Sequence, residues 1–222
     1  MPYPATPMEP SAGELRALAR RDPALGRAMR RLPRFPRFPD AVQRVQRTHF
    51  HALARAIVYQ QLAGKAAATI HARVCALTPG PGFPKPAELL ALPDPALRGA
   101  GLSRNKLLAL RDLAARVESG TLRLSSIARL PDAEIVERLV EVRGIGEWSA
   151  QMFLLFRLGR LDVLPATDLG VREGVRVLDG LEERPTPGAV LARGEIWRPL
   201  CSVASWYMWR LVERQRAAPP RA

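Results

Sequence analysis

The chain has 222 residues, of which 47% are hydrophobic and 25% charged, so it can form one large globular domain or two small ones. Its 34 Lys and Arg outnumber 21 Asp and Glu, giving a net charge of +13. This excess favours a nucleic-acid partner, although an anionic membrane is an alternative and a coding bias toward Arg could contribute. Only Cys75 and Cys201 are present, which excludes a zinc ribbon, a disulfide scaffold and a four-cysteine iron–sulfur cluster. No signal peptide or membrane-length apolar run is recognisable, so we expect a cytoplasmic protein without membrane association.

The spacing of apolar residues predicts helices along most of the chain. We expect flexible ends at 1–12 and 213–222, where Pro and polar residues prevail, and a Pro-rich loop at 78–86. No alternating strand pattern and no internal repeat is recognisable, which predicts an all-α fold. The predicted helices start near Asp40, after Gly64, at the N-cap Ser103, at Pro131–Asp132, at Trp148, at Asp168 and at Glu195. The helix from Pro131 runs into the stretch that begins at 140, and the last three end near 158, 178 and 212.

The stretch "VRGIGEWSA" at 142–150 joins two of these helices. Gly144 can take the left-handed conformation that ends a helix, Gly146 can stand where a side chain would collide, and Ile145 would pack inward. The simple interpretation is a tight turn between two helices. The alternative is that the bare backbone lets a phosphate reach the unpaired amides of the second helix.

Several segments in order resemble the helix-hairpin-helix DNA glycosylases of base excision repair. These are "LARAIVYQQLAGKAA" at 53–67, "GLSRNK" at 101–106, the hairpin itself, "LDVLPATDLGVREG" at 161–174 and "WRPLCSVASWYMWR" at 197–210. The resemblance is greatest to the alkylation-repair branch, the bacterial 3-methyladenine DNA glycosylase II type. It implies one glycosylase fold over 13–212, with two interleaved helical subdomains flanking a cleft and the hairpin at about 132–158.

The resemblance further implies a monomeric, nucleoid-associated enzyme that flips alkylated bases out of double-stranded DNA and hydrolyses their N-glycosidic bond. Asp168 takes the place of the catalytic aspartate, while Asp162 and Glu147 are weaker rivals. Related enzymes that also nick the strand carry a lysine where this chain has Trp148 and Ser149, so we expect a monofunctional glycosylase. The base pocket is expected to be lined by Trp148, Met152, Tyr207 and Trp209.

The remaining expectations concern DNA contacts and cofactors. The family's wedge, which fills the gap left by the flipped base, falls on Gln61 or Leu62. No cofactor is required, but backbone carbonyls of Val140, Val142 and Ile145 are expected to hold a Na⁺ or K⁺ ion. Contacts to the DNA backbone are expected from the hairpin and from the start of a helix, at Arg143, Gly144, Ile145, Gly146, Ser149, Arg104 and Lys106.

Two alternatives remain open at this point. The chain could be a non-catalytic module that grips a nucleic-acid backbone through the hairpin, or a glycosylase for another lesion. It also departs from its relatives: Cys201 replaces an arginine, Leu200 an aromatic residue and Thr167 an acidic one. These differences bear on the range of lesions rather than on the reaction type.

Overall fold

The computed structural model describes residues 9–36, 38 and 48–217, and in this part of the chain every regular element is helical. The all-α prediction is confirmed. None of the helices described is both long and apolar enough to span a membrane. In chain order the helices are α1 (Ala12–Arg21), α2 (Pro23–Arg31), α3 (His49–Tyr59), α4 (Gly64–Cys75), α5 (Pro86–Ala91), α6 (Asp94–Gly99), α7 (Arg104–Glu118), α8 (Asp132–Val140), α9 (Glu147–Met152), α10 (Leu169–Asp179), α11 (Pro187–Gly194) and α12 (Cys201–Ala217).

The chain divides into two compact units, and the division interleaves them along the sequence. The first unit, within residues 41–153, contains α3 to α9. Helix α7 is its centre, because α3, α5 and α6 all pack against it. Its apolar residues Leu107, Leu110 and Leu113 recur every three residues and are buried, as expected for the inward face of an amphipathic helix.

The second unit combines α1 and α2 with residues 154–217. Its core is built on α12, which packs against α2 and α10 and buries Val203, Trp206 and Met208. Helix α10 approaches α12 closely because Gly174 faces Met208, where even a methyl group would collide with the Met208 backbone. This close approach fixes the helix that carries Asp168 at its start.

A buried carboxylate ties α1 and α2 to the rest of the second unit. Asp22, 2% exposed, caps α2 by accepting from the Leu25 amide and also accepts from Trp197 Nε1 and Arg193, both at 2.7 Å. Burial opposes ionisation of Asp22, but these hydrogen bonds and the Arg193 charge outweigh it and lower its pKa. The N-terminal helices are thus held by a buried ionic contact as well as by apolar packing.

The structure contains helices that the apolar spacing did not indicate. Ser11 caps α1 in a capping box with Glu14, so this helix starts inside the segment predicted to be flexible. Helices α2, α5, α6 and α11 are likewise additions. The helix predicted from Asp40 is described only from its Thr48 cap onward, and residues 1–8 and 40–47 lie outside the described residues.

The predicted helix from Glu195 to about 212 is wrong at both ends. Residues Glu195–Trp197 form a separate 3₁₀ turn, and α12 starts only at Cys201, because Pro199 has no N–H to continue a helix. At the other end α12 continues through Ala217 instead of fraying after Val212. Good helix formers prolong it, and Arg210 pairs with Glu213 along its surface.

Candidate active site and nucleic-acid interface

The glycine corner is a tight turn between α8 and α9. Gly144 has φ +78°, the left-handed conformation predicted for it, and Ile145 is 5% exposed, packed inward as predicted. Gly146 differs from the expectation. Its φ is −94° and a Cβ there would meet nothing within 4 Å, so the rest of the protein gives no reason for glycine at this position.

The amides of the corner differ in the hydrogen bonds they make. The Arg143 N–H donates to Asp112 Oδ2 at 2.8 Å and the Ile145 N–H to the Val142 carbonyl at 3.0 Å, so both are engaged within the protein. The first intrahelical bond of α9 runs from Ala150 to Gly146. The amides of Glu147 and Ser149 precede this bond in the first turn of α9, and the N-terminus of a helix suits an anion.

Asp168 lies at the N-terminus of α10, in the second unit. It is the N-cap, and its Oδ1 accepts from the Val171 amide at 2.8 Å. The same Oδ1 accepts from Trp209 Nε1, also at 2.8 Å. A half-buried carboxylate is thus fixed by two N–H donors from different helices, which leaves a single orientation for its negative charge.

Gly170 is what allows Trp209 to reach Asp168. A Cβ on Gly170 would stand 2.7 Å from Trp209 Cδ1 and 3.1 Å from Asp168 Oδ1. On its other side the indole stacks on Phe156, with ring centroids 5.5 Å apart. Trp209, predicted as a pocket wall, therefore also positions the carboxylate. Neither this contact nor the role of Gly170 was foreseen, although glycine two residues after an N-cap is an unusual choice inside a helix.

The corner after α3 carries the predicted wedge. Gln61 is exposed with φ +55°, the one non-glycine residue with positive φ in the described chain, and Leu62 is 39% exposed. Such a conformation costs energy for a residue with a Cβ, and strain of this kind clusters at functional sites. The geometry leaves the choice between Gln61 and Leu62 open.

Lys106 is not placed as predicted. Its ammonium donates to the carbonyls of Val58 and Gln60, both at 2.7 Å, and burial lowers its pKa. A lysine committed to two backbone carbonyls within the protein is not a free phosphate contact, so this prediction is corrected. Arg104, two residues earlier at the start of α7, is exposed and remains a candidate.

The predicted pocket residues differ in burial. Trp148, 45% exposed, and the half-buried Met152 both lie on α9 in the first unit. Tyr207 belongs instead to the core of the second unit: it is 3% exposed and packs edge-on against Trp206, with centroids 4.9 Å apart. Tyr207 is therefore a core residue, and the prediction that it lines the base pocket is corrected. Ser149, also on α9, is half-buried.

The rival carboxylates have other partners. Asp162 pairs with Arg198 at 2.8 Å and accepts from the Cys201 amide at the start of α12, so its charge is used to hold that helix. The Glu147 carboxylate accepts a hydrogen bond from the side-chain amide of Gln151, one turn later on α9. In neither of them do two N–H donors converge on one carboxylate oxygen, as they do on Asp168 Oδ1.

Comparison with known proteins identifies the class. Residues 54–199 match the model of the HhH-GPD superfamily of base excision DNA repair proteins, and the chain belongs to this family. DNA-3-methyladenine glycosylase 1 of Schizosaccharomyces pombe is 38% identical over 162 residues, which is 72% of this chain and 71% of that protein. A putative DNA-3-methyladenine glycosylase of Bacillus subtilis is 34% identical over 59% of this chain and 46% of its own length.

Solved structures agree with the sequence relatives. The 3-methyladenine DNA glycosylase of S. pombe in complex with abasic DNA has a TM-score of 0.78 at 32% identity, covering 89% of this chain and 95% of that one. The DNA-3-methyladenine glycosidase of Bacillus halodurans has a TM-score of 0.79, also at 32% identity, covering 96% and 95%. The predicted membership of the helix-hairpin-helix DNA glycosylase family is thereby confirmed.

Proposed function

We propose that this base excision repair DNA glycosylase removes alkylated bases of the 3-methyladenine and 7-methylguanine type from double-stranded DNA. Water hydrolyses the N-glycosidic bond, and the product is an intact strand with an abasic site. The observation that carries the proposal is the carboxylate of Asp168, fixed at the N-terminus of α10 by the Val171 amide and the Trp209 indole. A module that only gripped the DNA backbone would not need this arrangement.

The chemistry requires a negative charge beside the sugar. As the bond breaks, positive charge develops on the deoxyribose, and a carboxylate held close by stabilises this oxocarbenium-like state and can orient the attacking water. Glycosidases in general add a second carboxyl group, because their leaving group must be protonated. An alkylated purine is already cationic and leaves without an acid. One fixed aspartate is then sufficient.

The aromatic residues fit a cationic base. Trp148 presents an exposed indole at the start of α9, and stacking of a cationic ring on indole is worth about 1–2 kcal/mol when water is excluded. With Trp148 and Ser149 in the positions where strand-nicking relatives carry lysine, no amine is available there to attack the sugar. We therefore propose a monofunctional enzyme.

DNA is held by the hairpin in this proposal. Phosphate oxygens bind the amides at the start of α9 through the bare backbone of Gly146, with Arg143 beside them, while Gln61 or Leu62 fills the space of the flipped base. The chain acts as a monomer, and its substrate places it inside the cell with the chromosome.

A monovalent cation at the hairpin belongs to the same proposal. Oxygen donors suit Na⁺ or K⁺, and Val140 lies in the last turn of α8, where carbonyls lack helical amide partners. The Val142 carbonyl already accepts from the Ile145 amide and would bind the ion through its second lone pair. The carbonyls of Val140, Val142 and Ile145 would hold the ion, which would supply positive charge next to a DNA phosphate. Duplex affinity that is higher in K⁺ than in an equal concentration of tetramethylammonium would support the site, and equal affinity would contradict it.

The test of the main proposal is base release. The protein is incubated with duplex DNA treated with a methylating agent, and released bases are separated chromatographically. Asp168→Asn is the matched control, because Asn keeps the N-cap and an acceptor oxygen for both N–H donors but removes the charge. We expect release of 3-methyladenine by the wild type and a loss of on the order of 10²–10³-fold in the variant, with duplex affinity unchanged. Release by the variant at the wild-type rate would refute the assignment.

A further inference from the structure

One face of α7 contacts both of the segments proposed to meet DNA. Lys106, Ala109, Asp112 and Arg116 follow one another at intervals of three or four residues and so share one side of the helix. Lys106 binds the corner that carries Gln61, whereas Ala109 and Asp112 contact the hairpin. The helix is thus a common support for two loops that are about 80 residues apart in sequence.

At the first loop, the Lys106 ammonium bonds the last carbonyls of α3. Both of its acceptors, the carbonyls of Val58 and Gln60, are backbone atoms at a helix C-terminus, where a cation also complements the helix dipole. Gln60 immediately precedes Gln61, whose left-handed backbone is strained. The ammonium therefore fixes the peptide that leads into the exposed Gln61.

At the second loop, α7 contacts the hairpin backbone directly. Asp112 Oδ2 accepts from the Arg143 N–H at 2.8 Å and is itself held by Arg116 Nε at 3.1 Å. One residue further on, a Cβ on Gly144 would lie 3.2 Å from the Ala109 Cβ, so the turn rests on the helix surface. Helix α7 thus contacts the backbone of the hairpin at Arg143 and Gly144.

Gln60 joins the two loops to each other. Its side-chain Nε2 donates to the Gly144 carbonyl at 2.9 Å, while its own carbonyl accepts from Lys106. Lys106, Gln60, Gly144 and Ala109 thus form a closed ring of contacts through α7. A closed ring restricts the separation of the two loops more than either contact alone.

We infer that Lys106 and Gln60 are positioning residues that hold the wedge corner at a fixed distance from the hairpin. This rests on the proposed function, in which the hairpin grips a phosphate while the wedge enters the duplex. When the spacing is fixed, phosphate binding at the hairpin also brings the wedge to the base stack. No binding free energy is then lost in ordering the corner. The residues act on base flipping and not on the chemical step or on phosphate binding.

The test separates flipping from binding. Lys106→Met keeps an unbranched side chain that is one atom shorter and removes its N–H donors. Arg73→Met removes an exposed cation from α4 in the same unit and is the matched control. Each protein is checked by thermal melting. Three quantities are measured: affinity for undamaged duplex at two salt concentrations, excision of 3-methyladenine under enzyme-saturated single-turnover conditions, and the fluorescence of 2-aminopurine next to an abasic-site analogue, which rises when the base unstacks.

For Lys106→Met we expect at least a tenfold slower single-turnover excision and a clearly smaller fluorescence rise, with affinity and salt dependence within twofold of wild type. Lys106→Arg, which retains a cation able to bond carbonyls, should recover most of the loss. Gln60→Leu should reproduce the defect, and the double variant should be no worse than the single ones, because both break the same ring. Arg73→Met should excise and flip as the wild type does.

Two results would overturn the inference. A folded Lys106→Met protein whose salt slope falls by about one, but which excises at the wild-type rate once saturated, would make Lys106 a phosphate contact. Normal excision and normal fluorescence in a folded Gln60→Leu protein would show that the ring is dispensable, even if Lys106→Met does not fold. The fluorescence measurement needs no base release, so it still tests the inference if the wild type proves unable to excise methylated bases.

Discussion

Gly146 offers the sharpest test of how the hairpin binds DNA. A side chain at this position has open space around it and a backbone conformation that any residue adopts, with φ −94° and ψ 173°. Gly146→Arg should therefore fold normally. By the usual range for unconstrained surface changes, about ±0.5 kcal/mol, its melting temperature should shift by no more than about 1–2 °C.

The effect on DNA binding follows from two opposing contributions. If the added side chain prevents a phosphate from reaching two of the first amides of α9, each lost bond to a charged acceptor costs at least about 1.5 kcal/mol, together roughly 150-fold in affinity. The new positive charge offsets part of this. One additional phosphate contact in 0.1 M salt is worth about eightfold, from a slope of roughly 0.9 in log affinity against log salt. The net expectation is about 20-fold weaker binding.

The assay is duplex affinity at two salt concentrations, with melting curves as the check on folding. Gly144→Ala is the contrasting control. Its φ of +78° and the Ala109 Cβ, 3.2 Å from the new methyl group, predict a cost of about 1–2 kcal/mol and a melting temperature lower by roughly 2–8 °C. A folded Gly146→Arg protein that binds duplex as tightly as the wild type would refute the phosphate contact at this corner.

Three further outcomes are expected. Gly170→Ala should displace the Trp209 indole from Asp168 and slow base release at least tenfold at unchanged duplex affinity; an unchanged rate would show that the contact is dispensable. With Trp148 in the place of the family's lysine, borohydride added during turnover should trap no covalent enzyme–DNA adduct, and a trapped adduct would exclude the monofunctional assignment. The lowered pKa of Asp22 stabilises the fold above its ordinary value of about 4, and this contribution is lost as the pH falls through the lowered pKa. The difference in melting temperature between wild type and Asp22→Asn should therefore shrink from pH 7 toward pH 2.5, and a constant difference would contradict the linkage.

Much of the helical pattern could be predicted because it depends on local signals. The N-caps Ser103 and Asp168 mark α7 and α10, and both helices start where those residues predict. The capping box at Ser11 was an equally local signal for α1, but the surrounding prolines and arginines masked it. The apolar pattern predicted one continuous helix from Glu195, whereas Pro199 interrupts it and α12 starts at Cys201.

The site was predictable only in part, for a physical reason. Residue types and spacing indicate that an aspartate at a helix start and a glycine turn are suited to their roles. They do not indicate which distant side chain will meet them. Trp209 reaches Asp168 across 41 positions and Gln60 reaches Gly144 across 84, and both contacts depend on how helices pack in three dimensions. Lys106 was misjudged for the same reason, since its acceptors lie 46 and 48 positions earlier.

The way Asp168 is held bears on the range of lesions. In the proposed mechanism Asp168 acts on the sugar, and its Oδ1, which accepts from two N–H groups, is fixed as an acceptor and not as a donor to the base. Neutral lesions leave as poor anions unless something protonates them, whereas an alkylated purine is cationic before its bond breaks. A fixed negative charge stabilises the positive sugar for neutral and for alkylated bases alike. Only the cationic base can then leave without being protonated. In this mechanism selectivity for alkylated bases comes from the leaving group itself, and the protein need not recognise each lesion by its own hydrogen bonds. The proposed stacking on Trp148 would add a preference for a positively charged ring.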